Sequence, residues 1–218
     1  MSNVIQESRD EPRWPPVAAI LAVSSLLEVL PHHVHAMPRW VSYAVLAAAI
    51  VPMIMVSVST DNAIWLRIEH IAIMLLASVY AGNTAAELGD MVGITVHPPE
   101  TRSVSLLTSS FTIWITNVLT FSLLYWQIDS GGPSRIAHGM ARTPDWLFPQ
   151  ASAPELAEPD WRPLYIDYLS LAFNTATAFS PTDVLPLTRR AKGLMMLESA
   201  IALLTLVLVA ARAVNVIP

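Results

Sequence analysis

The sequence predicts an all-α integral membrane protein with five spanning helices plus a re-entrant helix and loop. Three observations carry that prediction. Of 218 residues, 54% are hydrophobic and 13% charged, with a mean hydropathy of +0.50, too little charge to cover a soluble domain of this length. Two stretches carry no charge at all, 21 residues from Trp40 to Thr60 and 26 from Ser103 to Ile128. About 20 apolar residues suffice to cross the hydrocarbon core. Third, the helix-forming run "LYIDYLSLAFNTAT" is followed at once by Pro181 and Pro186. It is roughly 20 Å long at 1.5 Å per residue, too short to cross.

Each element follows from local chemistry. Residues 1–16 are a polar tail of mixed charge, unlike the basic-then-apolar layout of a signal peptide, and end in Trp14-Pro15-Pro16. Proline suits the first turn of a helix. Residues 17–102 form a three-helix membrane region. Val17 to Leu30 is apolar except for Glu28, and spans only if it continues through "HHVHAM". Trp40 to Val58 is the second span and Ile64 to Ala86 the third, with Arg67, Glu69 and His70 in its first turns. "ELGDMVGITVHPPETR" reads as a loop, broken by glycine and Pro98-Pro99.

Residues 103–218 form the second module. Its first helix, 103–127, ends in Tyr125-Trp126, an aromatic pair suited to the membrane–water interface. Residues 129–163 are rich in Pro, Gly and charge and read as a long extramembrane loop, with Trp146, Phe148 and Trp161 to order part of it. The short helix and its loop occupy 164–186, and the last helix 188–217. Irregular backbone at membrane depth is tolerated only where protein buries it or it lines a water-filled cavity.

The stretch "TATAFSPTDVLPLT", Thr175 to Thr188, resembles the filter and exit of potassium-channel pores, which typically read T-x-T-T-V-G-Y-G-D-x-x-P-L-T. Thr175, Thr177, Asp183, Pro186, Leu187 and Thr188 match without gaps. The whole chain also resembles an uncharacterised family of small bacterial five-helix membrane proteins. Those carry a comparable "PTD" loop, here Pro181-Thr182-Asp183, then arginines and a "VN" near the end, here Val214-Asn215. The resemblance implies a bacterial inner-membrane, multi-pass protein that assembles as a homotetramer around a pore for small inorganic ions.

The filter is degenerate. Where the potassium motif has two glycines in left-handed conformation, this chain has Ser180 and Thr182, with Pro181 between them. A β-branched residue suits positive φ poorly, and proline fixes φ near −65°, so a stacked carbonyl cage is not expected. What the resemblance leaves is a hydroxyl-lined constriction of Thr175, Thr177, Ser180 and Thr182, with Asp183 as a ring of charge at the mouth. This arrangement favours weakly selective monovalent cations. The same small polar residues could instead cap the short helix, with Asp183 bonding amides at the start of the last helix. Glu198, two turns into the last helix, is expected to pair with Arg189, Arg190 or Lys192, or to act as an acidic pore group.

Other groups read more plainly. His32, His33 and His35 sit near a membrane boundary at irregular spacing, so interfacial histidines are expected and no metal site. Arg67 can snorkel to headgroups, and Asn117 suits an interhelical hydrogen bond. The chain has no cysteine, which excludes thiolate catalysis and Cys-based metal sites. No nucleophile–base pair, phosphate loop or zinc-protease motif is present, so neither an enzyme nor a cofactor is expected. No basic stripe suits nucleic acid; lipid is the expected surroundings. Potassium-channel orientation would leave only Arg39, Arg102 and Arg212 of twelve basic residues inside, and the positive-inside rule prefers the reverse. The other functional class open to this sequence is a non-conducting scaffold that binds a partner through 129–163.

Overall fold

The structure, a computed structural model, describes residues 14–29, 39–58, 62–96, 103–132, 143–159, 161–178 and 183–216. The described chain is mostly helical. In order come α1 (Trp14–Val29), α2 (Arg39–Val58), α3 (Asn62–Val96), α4 (Ser103–Ile128) and a 3-10 turn (Asp129–Gly131). There follow β1 (Trp146–Leu147), α5 (Pro149–Ser152), a second 3-10 turn (Pro154–Leu156), α6 (Tyr165–Ala178), β2 (Leu185–Pro186) and α7 (Arg189–Val216).

Three described helices are long and apolar enough to cross a membrane, over Ile64–Ala86, Ser109–Ile128 and Arg189–Ala210. By length and composition they indicate a membrane protein. The apolar stretches found in α1 and α2, Trp14–Leu26 and Leu46–Met55, are shorter. At 16 residues, α1 is about 24 Å long. Its expected continuation through "HHVHAM", with His32, His33 and His35, lies outside the described residues.

The helix at the centre is α4. Its span is 72% buried within the chain, against 33% for the spans of α3 and α7, and α1, α3, α6 and α7 all pack on it. That position explains its composition. Thr112, Thr116, Asn117, Thr120, Ser122 and Gln127 are all buried in it; of these, Asn117, Ser122 and Gln127 bond side chains or backbone of other helices, as polar groups do where hydrocarbon offers no competing partner. Around it lies one continuous core that includes Ile20, Met53, Ile73, Leu76, Phe121 and Ala202. Between α1 and α3, the Ser24 and Tyr80 hydroxyls share a 2.7 Å hydrogen bond. Between α3 and α4, the His70 ring bonds Gln127 Oε1 at 2.9 Å; Glu69 is buried and Arg67 exposed.

One boundary departs from expectation. The stretch after Ala86, expected as a loop, continues α3 to Val96. Gly89 and Gly93 cost about 1 kcal/mol each relative to alanine. Thr84 and Leu88 are buried just before and within this extension, which shows that the helix keeps packing there. The stop comes next to Pro98-Pro99, because a residue before proline is disfavoured in helical geometry.

Candidate functional site

The short helix α6 starts with a reciprocal cap. Pro163 precedes it, Asp167 Oδ2 accepts from the Leu164 amide at 2.8 Å, and the Asp167 amide donates to the Leu164 carbonyl at 2.9 Å. This is the return half of a capping box, with a carboxylate at the positive end of the helix. Burial raises the Asp167 carboxyl above the ordinary range, and the Leu164 amide draws it back.

Contacts along α6 run antiparallel to α4. The Tyr165 hydroxyl pairs with Ser122 Oγ at 2.7 Å, and its ring meets Trp126 edge-on at 6.0 Å. Two turns later Phe173 meets Trp114 edge-on at 5.7 Å. Near the C-terminal end, Ser199 Oγ of α7 donates to the Thr175 carbonyl at 3.4 Å. Ser199 is midway along the Arg189–Ala210 span. Beyond it, Thr177 shares an apolar cavity of about 480 Å³ with Ser110, Phe111, Trp114, Thr205 and Val209.

Past residue 182 the chain is back beside the C-terminal end of α4. β2 pairs antiparallel with β1, in the register Trp146 to Pro186 and Leu147 to Leu185. The node that holds it is Asp145, whose side chain is fully buried. Its carbonyl accepts from the Leu187 amide at 2.8 Å. Its Oδ1 accepts from Thr188 Oγ1 at 2.5 Å and Arg190 Nε at 2.6 Å, while Arg190 Nη2 holds Oδ2. Its amide donates to Asp129 Oδ1 at 2.6 Å, and the Tyr168 hydroxyl of α6 donates to Asp129 Oδ2 at 2.7 Å. Four pieces of chain therefore meet at two carboxylates: the end of α4, the loop, α6 and the start of α7.

At Asp129 the physical terms compete. Burial pushes the carboxyl up, the Tyr168 hydroxyl and the Asp145 and Trp146 amides pull it down, and the charge of Asp145 raises it again. The net direction is upward.

The predicted residues divide as follows. Thr175 and Thr177 lie in the last turns of α6, and both hydroxyls donate to their own helix. Thr175 Oγ1 reaches the Leu171 carbonyl at 2.8 Å and Thr177 Oγ1 the Phe173 carbonyl at 2.7 Å. Thr175 is buried and Thr177 exposed. Ser180 and Thr182 lie outside the described residues. Asp183 is exposed, ahead of β2. At the start of the last helix, Thr188 Oγ1 accepts from the Ala191 amide at 3.2 Å.

The expected pairing of Glu198 with a nearby cation is corrected. Glu198 is fully buried, and its Oε2 accepts from the Tyr125 hydroxyl of α4. Asn117 Nδ2 donates to its backbone carbonyl at 3.3 Å. Arg190 is committed to Asp145, and Arg189 and Lys192 are exposed. The physical reason is direction: Glu198 turns toward α4, whereas the first turn of α7 faces the loop. Sequence reasoning missed Asp129, Asp145, Tyr125 and Tyr168. The one local signal among the missed interactions was Thr188 just ahead of a helix, a standard N-cap pattern.

Among the described residues no group of three or more His, Asp or Glu side chains is placed to hold a metal. No family model, curated protein or solved structure matches the chain.

Proposed function

We propose that this chain is a pore-forming protein of the bacterial inner membrane. In this reading α4, α6 and α7 serve as outer helix, re-entrant pore helix and inner helix, within a five-span topology completed by α1, α2 and α3. Four copies enclose a path for small monovalent ions, since one such module cannot surround a pore. Thr177, Ser180 and Thr182 line the constriction, with Thr175 buried behind them, and Asp183 supplies negative charge at its mouth.

The observation that carries the reading is the placement of α6. A 14-residue helix lies between two membrane-length helices, with Tyr165 beside Ser122 at one end and the Thr175 carbonyl beside Ser199 at the middle of α7. The chain then returns to the end from which it entered, where β2 joins β1. The C-terminal end of α6 carries partial negative charge at membrane depth, which favours cations. Because the Thr175 and Thr177 hydroxyls donate within their helix, their remaining lone pairs are acceptors, again suited to cations rather than anions.

The test is flux from liposomes holding the purified protein, scanned across potassium, sodium, chloride and protons. Asp183→Asn is expected to lower cation flux several-fold without lowering protein yield. A well-folded oligomer that passes none of these ions removes the pore reading. A second reading, a scaffold that binds a partner through 129–163, is favoured by one observation: the loop is built around an aromatic core. Phe148 is buried between Trp161 at 5.9 Å and Tyr168 at 5.4 Å. On that reading trimming the loop abolishes partner capture while flux is zero throughout.

A further inference from the structure

The extramembrane loop carries a second cavity that the pore reading does not use. It has a volume of about 460 Å³, within the range of roughly 300–1,000 Å³ typical of small-molecule sites. Trp146, Phe148 and Trp161 line it, together with Asp129, Ser130 and Gln150. Two of those residues carry marks of a binding site. Gln150 Oε1 is buried with no hydrogen-bond partner among the described residues, and an unpaired buried acceptor costs about 1–3 kcal/mol. Ser130 holds a left-handed backbone, φ 55°, a strain that non-glycine residues bear chiefly at functional positions.

Charge adds the sign. Asp129, which lines the cavity, and Asp145 behind it are both buried, and among the described residues Arg190 is the cation that faces the two. Glu158 and Arg162 also line it, one acid and one base. An aromatic lining with a buried carboxylate at its edge suits an organic cation, through the ring faces above all.

We propose that this cavity binds a small organic ammonium compound bearing a hydrogen-bond donor, the cation against the aromatic rings and the donor to Gln150 Oε1. The site stands on the loop alone and does not depend on ion conduction. It also touches the node that joins α6 to α7, since Asp129 both lines the cavity and accepts from Tyr168 and Asp145.

The probe is choline, titrated by calorimetry into the protein in phosphatidylglycerol nanodiscs, which carry no ammonium group. Its uncharged carbon isostere, 3,3-dimethyl-1-butanol, is the control. Choline is expected to bind saturably and at least tenfold more tightly than the isostere. Trp161→Leu is expected to weaken choline about tenfold. Gln150→Leu, which removes an unpaired oxygen and so leaves the fold intact, is expected to weaken it several-fold, and Gln150→Glu to tighten it. Repeating the titration in phosphatidylcholine discs separates the sources. A weaker apparent affinity there means that a lipid headgroup takes the site, and an unchanged one that the ligand is a free ammonium compound. Equal affinity for choline and the isostere overturns the proposal, as does the absence of saturable binding. Choline binding indifferent to both the Gln150 and the Trp161 substitutions also overturns it, because the ligand then sits elsewhere.

Discussion

Arg190→Gln tests the Asp145 node most directly. The substitution leaves Asp145, with a side chain 0% exposed, without a guanidinium that holds both of its oxygens. Breaking a buried ion pair by removing one partner costs about 3–5 kcal/mol. Arg190 is 42% exposed, so part of its attraction is already screened by water, and Thr188 still donates to Oδ1. The expected loss is therefore about 2–3 kcal/mol. For a chain of this size each kcal/mol lowers the melting temperature by about 2–4 °C, which predicts a fall of about 4–12 °C in detergent melts followed by tryptophan fluorescence. Asp145→Asn alone relieves the buried charge but gives up the ionic bonds. The double variant places a neutral amide against a neutral amide, and should melt well above the sum of the single losses. A coupling of at least about 1 kcal/mol marks a true pair. If the two losses simply add, Asp145 and Arg190 do not act together and the node is misread.

Two further perturbations probe the same end of the molecule. Gly132 has φ +81°, and a methyl group there would lie 2.5 Å from the Gln127 carbonyl and 3.1 Å from His70 Nδ1. Gly132→Ala is expected to cost about 1–3 kcal/mol and to lower the melting temperature, whereas alanine at the unobstructed Gly193 should not. Asp129 gives a pH dependence. Its folded-state carboxyl is raised above the ordinary 3.8, so the folded chain takes up its proton before the unfolded chain does. Its contribution then favours folding more as pH falls from its raised value toward 3.8, and is lost as pH rises through the raised value. The melting-temperature difference between the native chain and Asp129→Asn should shift in the native chain's favour on acidification; a difference that is flat or of opposite slope contradicts the assignment.

How much of this could be read in advance follows from the range of each interaction. The helices α2, α4, α6 and α7 were legible because apolar length and proline are properties of contiguous residues. The end of α3 was not, since helix propensity around Gly89 is near balance and packing of Leu88 tips it. Thr175 and Thr177 lie in the last turns of a short helix. Their neighbours Ser110, Thr205 and Ser199 come from helices distant in sequence, and no local rule links them. The same holds for Asp145. It is one acid in a loop of many, and only the fold reveals that Thr188 and Arg190 arrive beside it. Glu198 was noticed as an acid out of place, but its partner Tyr125 looked like an interface aromatic rather than a hydrogen-bond donor.

The partners of Asp145 have a bearing on how the protein is made. Arg190 lies 45 residues downstream, roughly 2–9 s of synthesis at about 5–20 residues per second. During that interval the carboxylate has no guanidinium to meet it, and burying it alone would be costly. Asp145 must therefore stay unburied, its node half-made, while α6 is laid down. Only when the first turn of α7 emerges can the ion pair form, Thr188 cap its helix and β2 find β1. The node closes late in synthesis, and a chain cut short before Thr188 has no means to complete it.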